Sequence, residues 1–402
     1  MVRPRPLVDS ILRLIWSERR ISRAEIARTT ELSRSTVSEI VGGLLPTGLI
    51  AEVGPGKSSG GRRPIMLEFQ DDACTILGVD LGAAHVTVVL TDLRGRVLAA
   101  EHRRHPVRTD PEGTRELVAE LCDACVMTRR QSTLRLVGVG VAVPSPIDPK
   151  HPDRVSELVL PDWRGHSGLE GLRVRFGAPL LVDNDANLGA LAEHWWGAGR
   201  GVDDFAYIKL ATGIGSGHVV GGEIYRGATG VAGEIGHLAI DPHGGPCLCG
   251  LRGCLVTLVG AQAMVARARE LLADQPDSAL GRRDLDITAI EEAALGGDAL
   301  ALVLVREAAE YLGIALAGML NLMNPARVIL GGGLSRLGEL LLEPVRETVR
   351  TRTLVSSLDA SEIRTSELGP QAVALGASTL VLKTALDDSS LFPPPAARNG
   401  VR

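Results

Sequence analysis

The sequence predicts an α/β protein in which a small helical head precedes two larger lobes. Three observations predict this fold: capped helices and a hairpin within the first 70 residues, two similar strand-turn-strand units rich in glycine, and a compact group of cysteine and histidine side chains. The chain has 402 residues, which is enough for two or three domains, and 45% of them are apolar, which supplies the cores.

Charge is unevenly divided along the chain. Residues 1–70 carry eleven Lys or Arg and seven Asp or Glu, a net charge of +4, whereas the whole chain carries −5 and the remainder therefore −9. A basic head on an acidic body indicates a nucleic-acid contact at one end. No apolar run is long enough for a membrane span or a signal peptide, so we expect a cytoplasmic protein with no membrane partner.

The head begins with three predicted helices. Apolar side chains at helical spacing over residues 7–15 predict the first helix. Ser22 and Glu25 form a capping box that starts a second helix, and Ser33 can cap a third. This arrangement is typical of a helix-turn-helix, in which the second helix of the pair enters the major groove of DNA with its N-terminal residues foremost. The candidate DNA-contacting residues on that helix are Arg34, Ser35, Thr36 and Ser38.

A predicted hairpin completes the head as a wing. Residues 49–53 and 65–69 have strand patterns, and the glycine-rich residues 54–61 form the tip between them. At the base of the wing, Arg62 and Arg63 precede a proline and can enter a narrow, electronegative minor groove. The alternative is a three-helix bundle whose solvated hairpin contacts another protein.

One histidine and three cysteines lie within eighteen residues, namely His237, Cys247, Cys249 and Cys254. A closed set of four such ligands is typical of a structural zinc site, whereas a catalytic zinc keeps one position open for water. We therefore expect Zn²⁺ to hold a loop. The alternative is a redox pair of cysteines beside an unrelated histidine. Cys122 and Cys125 also have a CxxC spacing, but their helical pattern favours a place on a helix face over a redox role.

Two strand-turn-strand units with glycine turns predict paired α/β lobes with a cleft between them. In the first unit the strand 75–79 leads into Asp80-Leu81-Gly82, and in the second the strand 205–210 leads into residues 211–217. A third glycine patch, Gly331-Gly332-Gly333, follows the strand 327–330. Such turns can offer backbone amides to phosphates, and glycine allows the close approach.

The segment Glu234-Ile235-Gly236-His237 and the cysteines after it resemble the sugar-site and zinc motif of the ROK family, the repressors, open reading frames and kinases built on an actin-like sugar-kinase fold. With the glycine turns the resemblance covers residues 75–385, and the winged head extends it over nearly the whole chain. It implies four segments. These are a winged helix-turn-helix domain (1–70), a first lobe (71–187), a second lobe with the zinc loop and a C-terminal helix that returns to the first lobe (188–386), and a disordered tail (387–402).

The resemblance also implies roles for individual residues. The sugar-binding set is Asn184, Asp185, Glu234 and His237, and His237 offers one nitrogen to zinc and the other to the sugar. Asp185 matches the general base that takes the proton from the attacking hydroxyl in a kinase. A helix cap with solvated acids is the alternative for Asp185 and its neighbour Asp183. The nucleotide-binding set is Asp80, Gly82, Thr212, Gly213, Gly215, Gly331, Gly332 and Gly333.

Several residues depart from the kinase pattern. The phosphate turn of family kinases ends in glycine and threonine, and Ala83 and Ala84 replace those two residues here. Val256 stands where members that bind glucose-like sugars usually have glutamate, and Ser145 stands where they usually have glycine. The turn lacks a hydroxyl and gains a side chain where phosphate should approach, which argues against phosphoryl transfer. The identity of the sugar stays open.

These features together favour a transcriptional repressor that kept the kinase lobes as a sensor. Its expected partners are a double-stranded DNA operator and a small carbohydrate effector. We also expect a homodimer or a dimer of dimers, because palindromic half-sites mirror two-fold protein symmetry. The alternatives are an active hexose kinase with a regulatory head, which would need ATP and Mg²⁺, and a zinc-stabilised interaction protein that binds neither sugar nor DNA.

Overall fold

A computed structural model describes residues 5–56, 63–128, 135–282, 284–354 and 361–395. The head comprises α1 (Arg5–Glu18), β1 (Arg20–Ser22), α2 (Arg23–Thr29), α3 (Arg34–Leu44), β2 (Ile50–Pro55) and β3 (Ile65–Phe69). Its strands form one antiparallel sheet in the order β1-β3-β2. The three helices and the hairpin confirm the predicted winged head, whereas β1, with three residues, is too short to show a strand pattern in the sequence.

Two serine caps define the helix-turn-helix. The Ser22 hydroxyl accepts a hydrogen bond from the Glu25 amide at 3.3 Å, and the Glu25 carboxylate accepts one from the Ser22 amide at 2.8 Å. The Ser33 hydroxyl accepts from the Thr36 amide at 3.1 Å and starts α3. Each cap is worth about 1 kcal/mol. Glu31, at φ 56°, turns the chain between the two helices.

The body contains two five-stranded sheets of the same design. The first has the order β6-β5-β4-β7-β8 and the second β11-β10-β9-β12-β13. In each sheet the first three strands form an antiparallel meander, and the last two run parallel to the first strand. This repetition confirms the paired α/β lobes. The strands are β4 (Thr75–Gly82), β5 (His85–Thr91), β6 (Val97–Arg104), β7 (Leu136–Val143), β8 (Leu180–Asn184), β9 (Phe205–Leu210), β10 (Ile214–Val220), β11 (Glu223–Tyr225), β12 (Arg327–Gly331) and β13 (Glu362–Thr365).

Helices cover these sheets. They are α4 (Pro111–Met127), α5 (Glu170–Phe176), α6 (Asp185–Trp196), α7 (Val256–Val259), α8 (Ala261–Leu272), α9 (Ile287–Leu295), α10 (Ala299–Met323), α11 (Glu339–Arg350) and α12 (Ala372–Asp387). The long helix α10 forms the centre of the second lobe's core. The last helix, α12, returns to the first sheet and lies against β4 and β7. A side chain at Gly78 or Gly140 would collide with its backbone, at 2.1 Å and 1.9 Å from the nearest carbonyl oxygen.

The head packs directly on the body through aromatic side chains. Trp16 of α1 lies with its ring centroid 5.2 Å from that of Trp195 and 6.3 Å from that of Trp196, at the end of α6. Arg94, in the turn between β5 and β6, places its guanidinium 4.4 Å from the centre of the Trp16 ring. It also donates hydrogen bonds to the Trp16 carbonyl at 2.6 Å and to the Asp71 carboxylate at 2.8 Å. We call these residues the head–body joint.

The expectation of disorder from residue 387 is wrong for residues 387–395. A short 3-10 helix, Ser389–Leu391, follows α12, and Phe392 is buried in the same apolar cluster as the head. The Ser389 amide donates to the carboxylate of Asp9 in α1 at 3.0 Å. Burial of the Phe392 side chain and the hydrogen bond to α1 offset part of the entropy lost in ordering these residues. Across the described segments, none of the helices is long and apolar enough to cross a bilayer.

Candidate functional site

The predicted metal ligands converge on one point. The ligand atoms of His237, Cys247, Cys249 and Cys254 all lie within 4.8 Å of one another. The sulfurs of Cys249 and Cys254 are 3.6 Å apart, and the Cys247 sulfur is 3.6 Å from His237 Nδ1. Sulfur ligands about 2.3 Å from a tetrahedral metal are separated by about 3.8 Å. The cluster can therefore hold a metal ion, and its spacing does not match a disulfide, whose sulfurs lie about 2.05 Å apart.

The metal loop is fixed on both sides. Cys254 pairs with Ala239 in an isolated β-bridge, and the Cys247 amide donates to the Leu251 carbonyl at 2.8 Å. His237 ends a 3-10 helix and directs Nδ1 toward the sulfurs. Its other nitrogen, Nε2, lies 3.9 Å from the Glu234 carboxylate. One imidazole thus connects the metal cluster to Glu234, whose pKa is raised to about 7 by burial and by the nearby charge of Asp185.

The junction of β8 and α6 carries the predicted sugar-binding pair. Asn184 caps α6, because its side-chain oxygen accepts from the amides of Ala186 at 2.9 Å and Asn187 at 3.2 Å. Asp183 and Asp185 are buried, with 4% and 8% exposure, so they are not solvated acids at a helix cap. The alternative interpretation is right about a cap at this point, but the capping residue is Asn184.

Each of the two buried acids has a cationic partner that the sequence did not reveal. Arg226, just after β11, contacts Asp183 with two guanidinium nitrogens at 2.5 and 3.0 Å. Lys209 of β9 places its ammonium group 2.5 Å from the Asp185 carboxylate. Both ion pairs join the end of the first sheet to the second sheet. The only sequence signal for Lys209 is one cation within the buried apolar strand Phe205–Leu210.

The first glycine turn is occupied by a histidine. The His85 ring lies so close to Gly82 that a Cβ added there would be 2.1 Å from ring atom Cε1. His85 Nε2 is 3.2 Å from Asp80 Oδ2, and the His85 and His102 rings have centroids 5.3 Å apart. The other Asp80 oxygen, Oδ1, is buried and has no hydrogen-bond partner within the described part of the chain. Burial would raise the pKa of Asp80, but Lys209 and His85 outweigh burial and hold it below the usual value.

The remaining glycine turns meet in the second lobe. Gly332, at φ 87°, sits so close to β9 that an added Cβ would be 2.2 Å from the Leu210 carbonyl oxygen. The patch of Gly331, Gly332 and Gly333 therefore borders the exposed turn of Thr212 and Gly213 that follows β9. Gly215 lies against α6, because a Cβ there would be 3.2 Å from the Ala186 side chain.

The helix-turn-helix presents its predicted contact residues to solvent. On α3, Arg34, Ser35 and Ser38 are exposed and Thr36 is half-buried. The Ser35 and Thr36 hydroxyls each lie 2.8 Å from the Ser33 hydroxyl. Arg63 is exposed beside β3, whereas Arg62 and the wing tip at 57–61 lie outside the described residues.

Three other features of the sequence lie within the body. Cys122 and Cys125 are buried on α4, and burial raises the pKa of the Cys125 thiol to about 11, which fits helix-face residues and not a redox pair. Ser145 is buried, and its hydroxyl accepts from the Ser156 amide at 2.8 Å. Val256 begins α7 and is half-buried.

Comparison with known proteins places these features in a family. The model of the ROK family matches residues 76–384. The chain belongs to the ROK family. A xylose repressor from Caldicellulosiruptor bescii is 31% identical to this ROK protein over 382 residues, which cover 94% of the chain and 95% of that repressor.

Solved structures of the ROK family extend the comparison. A ROK family transcriptional regulator, described as a homologue of the E. coli MLC protein, superposes with a TM-score of 0.82 at 26% identity and covers 96% of this chain and 97% of its own. A ROK family glucokinase from Streptomyces griseus, solved with glucose and AMPPNP, superposes with a TM-score of 0.69 at 31% identity. That match covers 76% of this chain and 98% of the kinase. The regulator therefore matches the head and the body together.

Proposed function

We propose that this ROK protein is a transcriptional repressor that binds operator DNA through its winged head and a small carbohydrate in the cleft of its body. The observation that carries the proposal is the packing of a complete winged helix-turn-helix on a ROK body within one chain. The similarity to a repressor and to a regulator along nearly the whole chain supports the same combination.

A single helix connects the two binding regions. Helix α6 begins at Asp185, capped by Asn184, and ends at Trp196 against the head. Its twelve residues span about 18 Å. Because a helix of this length moves as a rigid body, a sugar that shifts its N-terminus also displaces the tryptophans at the head–body joint. The head and body would then have two relative arrangements, one with the shifted helix and one without. A sugar changes operator affinity only if it binds these two arrangements with different affinity.

The DNA-binding surface is proposed to be the exposed N-terminal turn of α3 together with the wing base. The unpaired N-terminal amides of a helix and the Arg34 guanidinium attract phosphate, while the hydroxyls of Ser35, Thr36 and Ser38 can reach base edges or phosphates. Arg62 and Arg63 would enter the minor groove. Operator half-sites related by two-fold symmetry would require two heads, so we propose a dimer as the binding species.

Gel shifts with the DNA upstream of the protein's own gene test this surface. We expect Arg34→Ala to weaken binding about tenfold, since one base or phosphate contact is worth about 1–3 kcal/mol. Arg62→Ala with Arg63→Ala should weaken it at least as much. The matched control is Arg173→Ala on α5, an exposed arginine of the body that pairs with Glu170. Unchanged affinity in both head variants, relative to the control, would contradict the docking surface.

We assign the metal site to structural Zn²⁺. One imidazole and three thiolates leave no coordination position open for a reacting water. The ion would fix the loop that carries Glu234, and through His237 it would set the distance between that carboxylate and a sugar hydroxyl. The metal thereby stabilises the ligand site without taking part in chemistry.

Hexose kinase activity is the second candidate, favoured by Asp185 at the position of the general base and by the similarity of the body to a glucokinase. Phosphoryl transfer depends on charge stabilisation around the phosphates. In this chain Ala83 and Ala84 occupy the phosphate turn, and the Lys209 ammonium group is paired with Asp185, the residue at the position of the base. We expect no sugar-dependent ADP release from ATP and Mg²⁺ across the common hexoses. Sustained turnover would favour the kinase.

A further inference from the structure

Lys209 is a cation buried at the centre of the cleft. It lies on β9, the first strand of the second sheet, and its side chain is 11% exposed. Its ammonium group is 2.5 Å from Asp185, on the first turn of α6. Burial lowers the pKa of Lys209, but the charges of Asp185 and Asp80 outweigh burial and leave that pKa above its usual value. The ammonium group is therefore charged at neutral pH.

Lys209 serves two carboxylates from one position. It contacts Asp185 directly and holds the pKa of the buried Asp80 below its usual value. Asp80 begins the first phosphate turn and Asp185 stands at the position of the predicted base, so the two acids mark the phosphate end of the proposed cleft. We call this cluster the acid–lysine triad. Its formal net charge, one positive and two negative, is −1; burial raises the pKa of Asp185, and Lys209 acts against burial.

Two groups stand at the turn where the resemblance to family kinases places a nucleotide phosphate. The His85 ring covers Gly82 and hydrogen-bonds Asp80, while Lys209 neutralises one of the two acids. A pair of buried carboxylates needs a cation close by. In this chain the cation is the Lys209 side chain, which is part of the protein and not a bound metal ion. A donor is still missing at Asp80 Oδ1, which is buried without a hydrogen-bond partner among the described residues. A sugar hydroxyl that reached this oxygen on binding would supply the donor, and a phosphate oxygen cannot.

We propose that Lys209 is a built-in cation that replaces metal and nucleotide at this end of the cleft, so that the site takes an uncharged, unphosphorylated sugar with neither ATP nor Mg²⁺. The proposal rests on the proposed sugar-sensing function. It adds the charge class of the effector and the reason that the site binds without reacting. A phosphorylated sugar would bring its dianion against a triad that is already net negative.

The same ion pair restrains Asp185 as a base. A carboxylate that abstracts a proton must lose its charge, and here the loss would leave the Lys209 ammonium buried beside a neutral acid. Leaving a buried charge without its partner is strongly unfavourable. Burial raises the pKa of Asp185, and the charge and hydrogen bond of Lys209 act against burial. Lys209 thus positions Asp185 as a hydrogen-bond acceptor for the sugar and makes proton transfer to it harder than burial alone would.

The first arm of the test exchanges the built-in cation for a free one. Lys209→Met keeps an unbranched side chain, one atom shorter and without charge, and leaves Asp80 and Asp185 as two buried carboxylates. We expect millimolar MgCl₂ to raise the thermal midpoint of Lys209→Met by several degrees, because a hard divalent cation binds oxygen ligands. The wild-type protein and Lys209→Arg should show no such rise. The matched control, Lys209→Met with Asp185→Asn, removes one of the acids and should lose the response.

The second arm measures ligands directly by calorimetry on the wild-type chain in EDTA. The probes are D-xylose, D-glucose and N-acetyl-D-glucosamine, the 6-phosphates of the last two, and AMPPNP with MgCl₂. We expect at least one free sugar to bind without nucleotide or Mg²⁺. If that sugar is D-glucose or N-acetyl-D-glucosamine, it should bind at least tenfold more tightly than its own 6-phosphate. Tighter binding of a sugar phosphate, or binding of a sugar only with AMPPNP and MgCl₂, would overturn the proposal.

The two arms separate failure of the inference from failure of the proposed function. If no sugar binds, sugar sensing is contradicted, and the MgCl₂ response of Lys209→Met still decides the role of Lys209. If Lys209→Met folds, binds the same sugar with unchanged affinity and ignores MgCl₂, the lysine is not a substitute cation. If Lys209→Met does not fold, the calorimetry on the wild-type protein decides. Binding of AMPPNP with MgCl₂ overturns the inference. Binding of a free sugar without any binding of AMPPNP and MgCl₂ supports the inference.

Discussion

Arg94→Ala should uncouple the head from the body. Arg94 is only 15% exposed, donates hydrogen bonds to the Trp16 carbonyl and the Asp71 carboxylate, and stacks on the Trp16 ring. A hydrogen bond from a charged group contributes about 1.5 kcal/mol, the cation–π contact about 1 kcal/mol, and the ion pair with half-exposed Asp71 at most about 1 kcal/mol. The variant should therefore lose about 3 kcal/mol of stability at the head–body joint, of which about 2.5 kcal/mol comes from the contacts with Trp16 of the head.

Two assays read out this loss. The thermal transition that includes the head should fall by about 6 °C or more, at roughly 2–4 °C per kcal/mol. In gel shifts, the change in operator affinity caused by the sugar, typically about 5–150-fold for coupled sites, should shrink toward none. Sugar affinity itself should be retained, since Arg94 lies outside the cleft.

Arg96→Ala is the matched control for this experiment. Arg96 lies in the same turn, but its side chain is 70% exposed and pairs with Asp92 at 3.2 Å. We expect less than about 1 kcal/mol of destabilisation and an intact sugar response. If Arg94→Ala and Arg96→Ala have the same midpoint and the same sugar response, the head–body joint does not carry the signal.

Two further predictions concern the metal content of the protein and the stability contributed by its C-terminal segment. Cys249→Ser should reduce the bound zinc, measured by inductively coupled plasma mass spectrometry, from one ion per chain to well below one, whereas Cys122→Ser on α4 should leave the zinc content unchanged. A full ion in the Cys249→Ser protein would contradict the assigned ligand set. Phe392→Ala should cost about 3 kcal/mol, since an aromatic side chain is removed from a buried cluster, and should lower the denaturant midpoint. Truncation after residue 395 should have little effect, and an equal loss in both proteins would place the stabilising contact elsewhere.

Local signals in the sequence were sufficient for the head and the metal site. Ser22 and Ser33 cap their helices through hydrogen bonds that span three residues, so the pattern and the contact coincide. The cysteines are close together in sequence, and a tight loop can bring them together without help from the rest of the fold. The repeated glycine turns also indicated the two lobes, because each turn follows its own strand.

Long-range contacts were not predictable in the same way. Lys209 appears in the sequence as an isolated cation in an apolar strand, and nothing local shows that β9 directs it at Asp185 on another element. The contact of Trp16 with Trp195 joins residues far apart in sequence through the packing of α1 on the end of α6. For the tail, the polar residues after Asp387 suggested disorder, and the apolar pair Leu391 and Phe392 was the signal against it.

The position of the tryptophans has a practical consequence. Three of the four in the chain, Trp16, Trp195 and Trp196, lie together at the joint, with ring centroids between 5.2 and 6.3 Å apart. Ultraviolet emission from the unlabelled protein therefore comes mostly from this one place. A titration in a fluorimeter would follow movement of the head during effector binding, in real time and without attaching a dye.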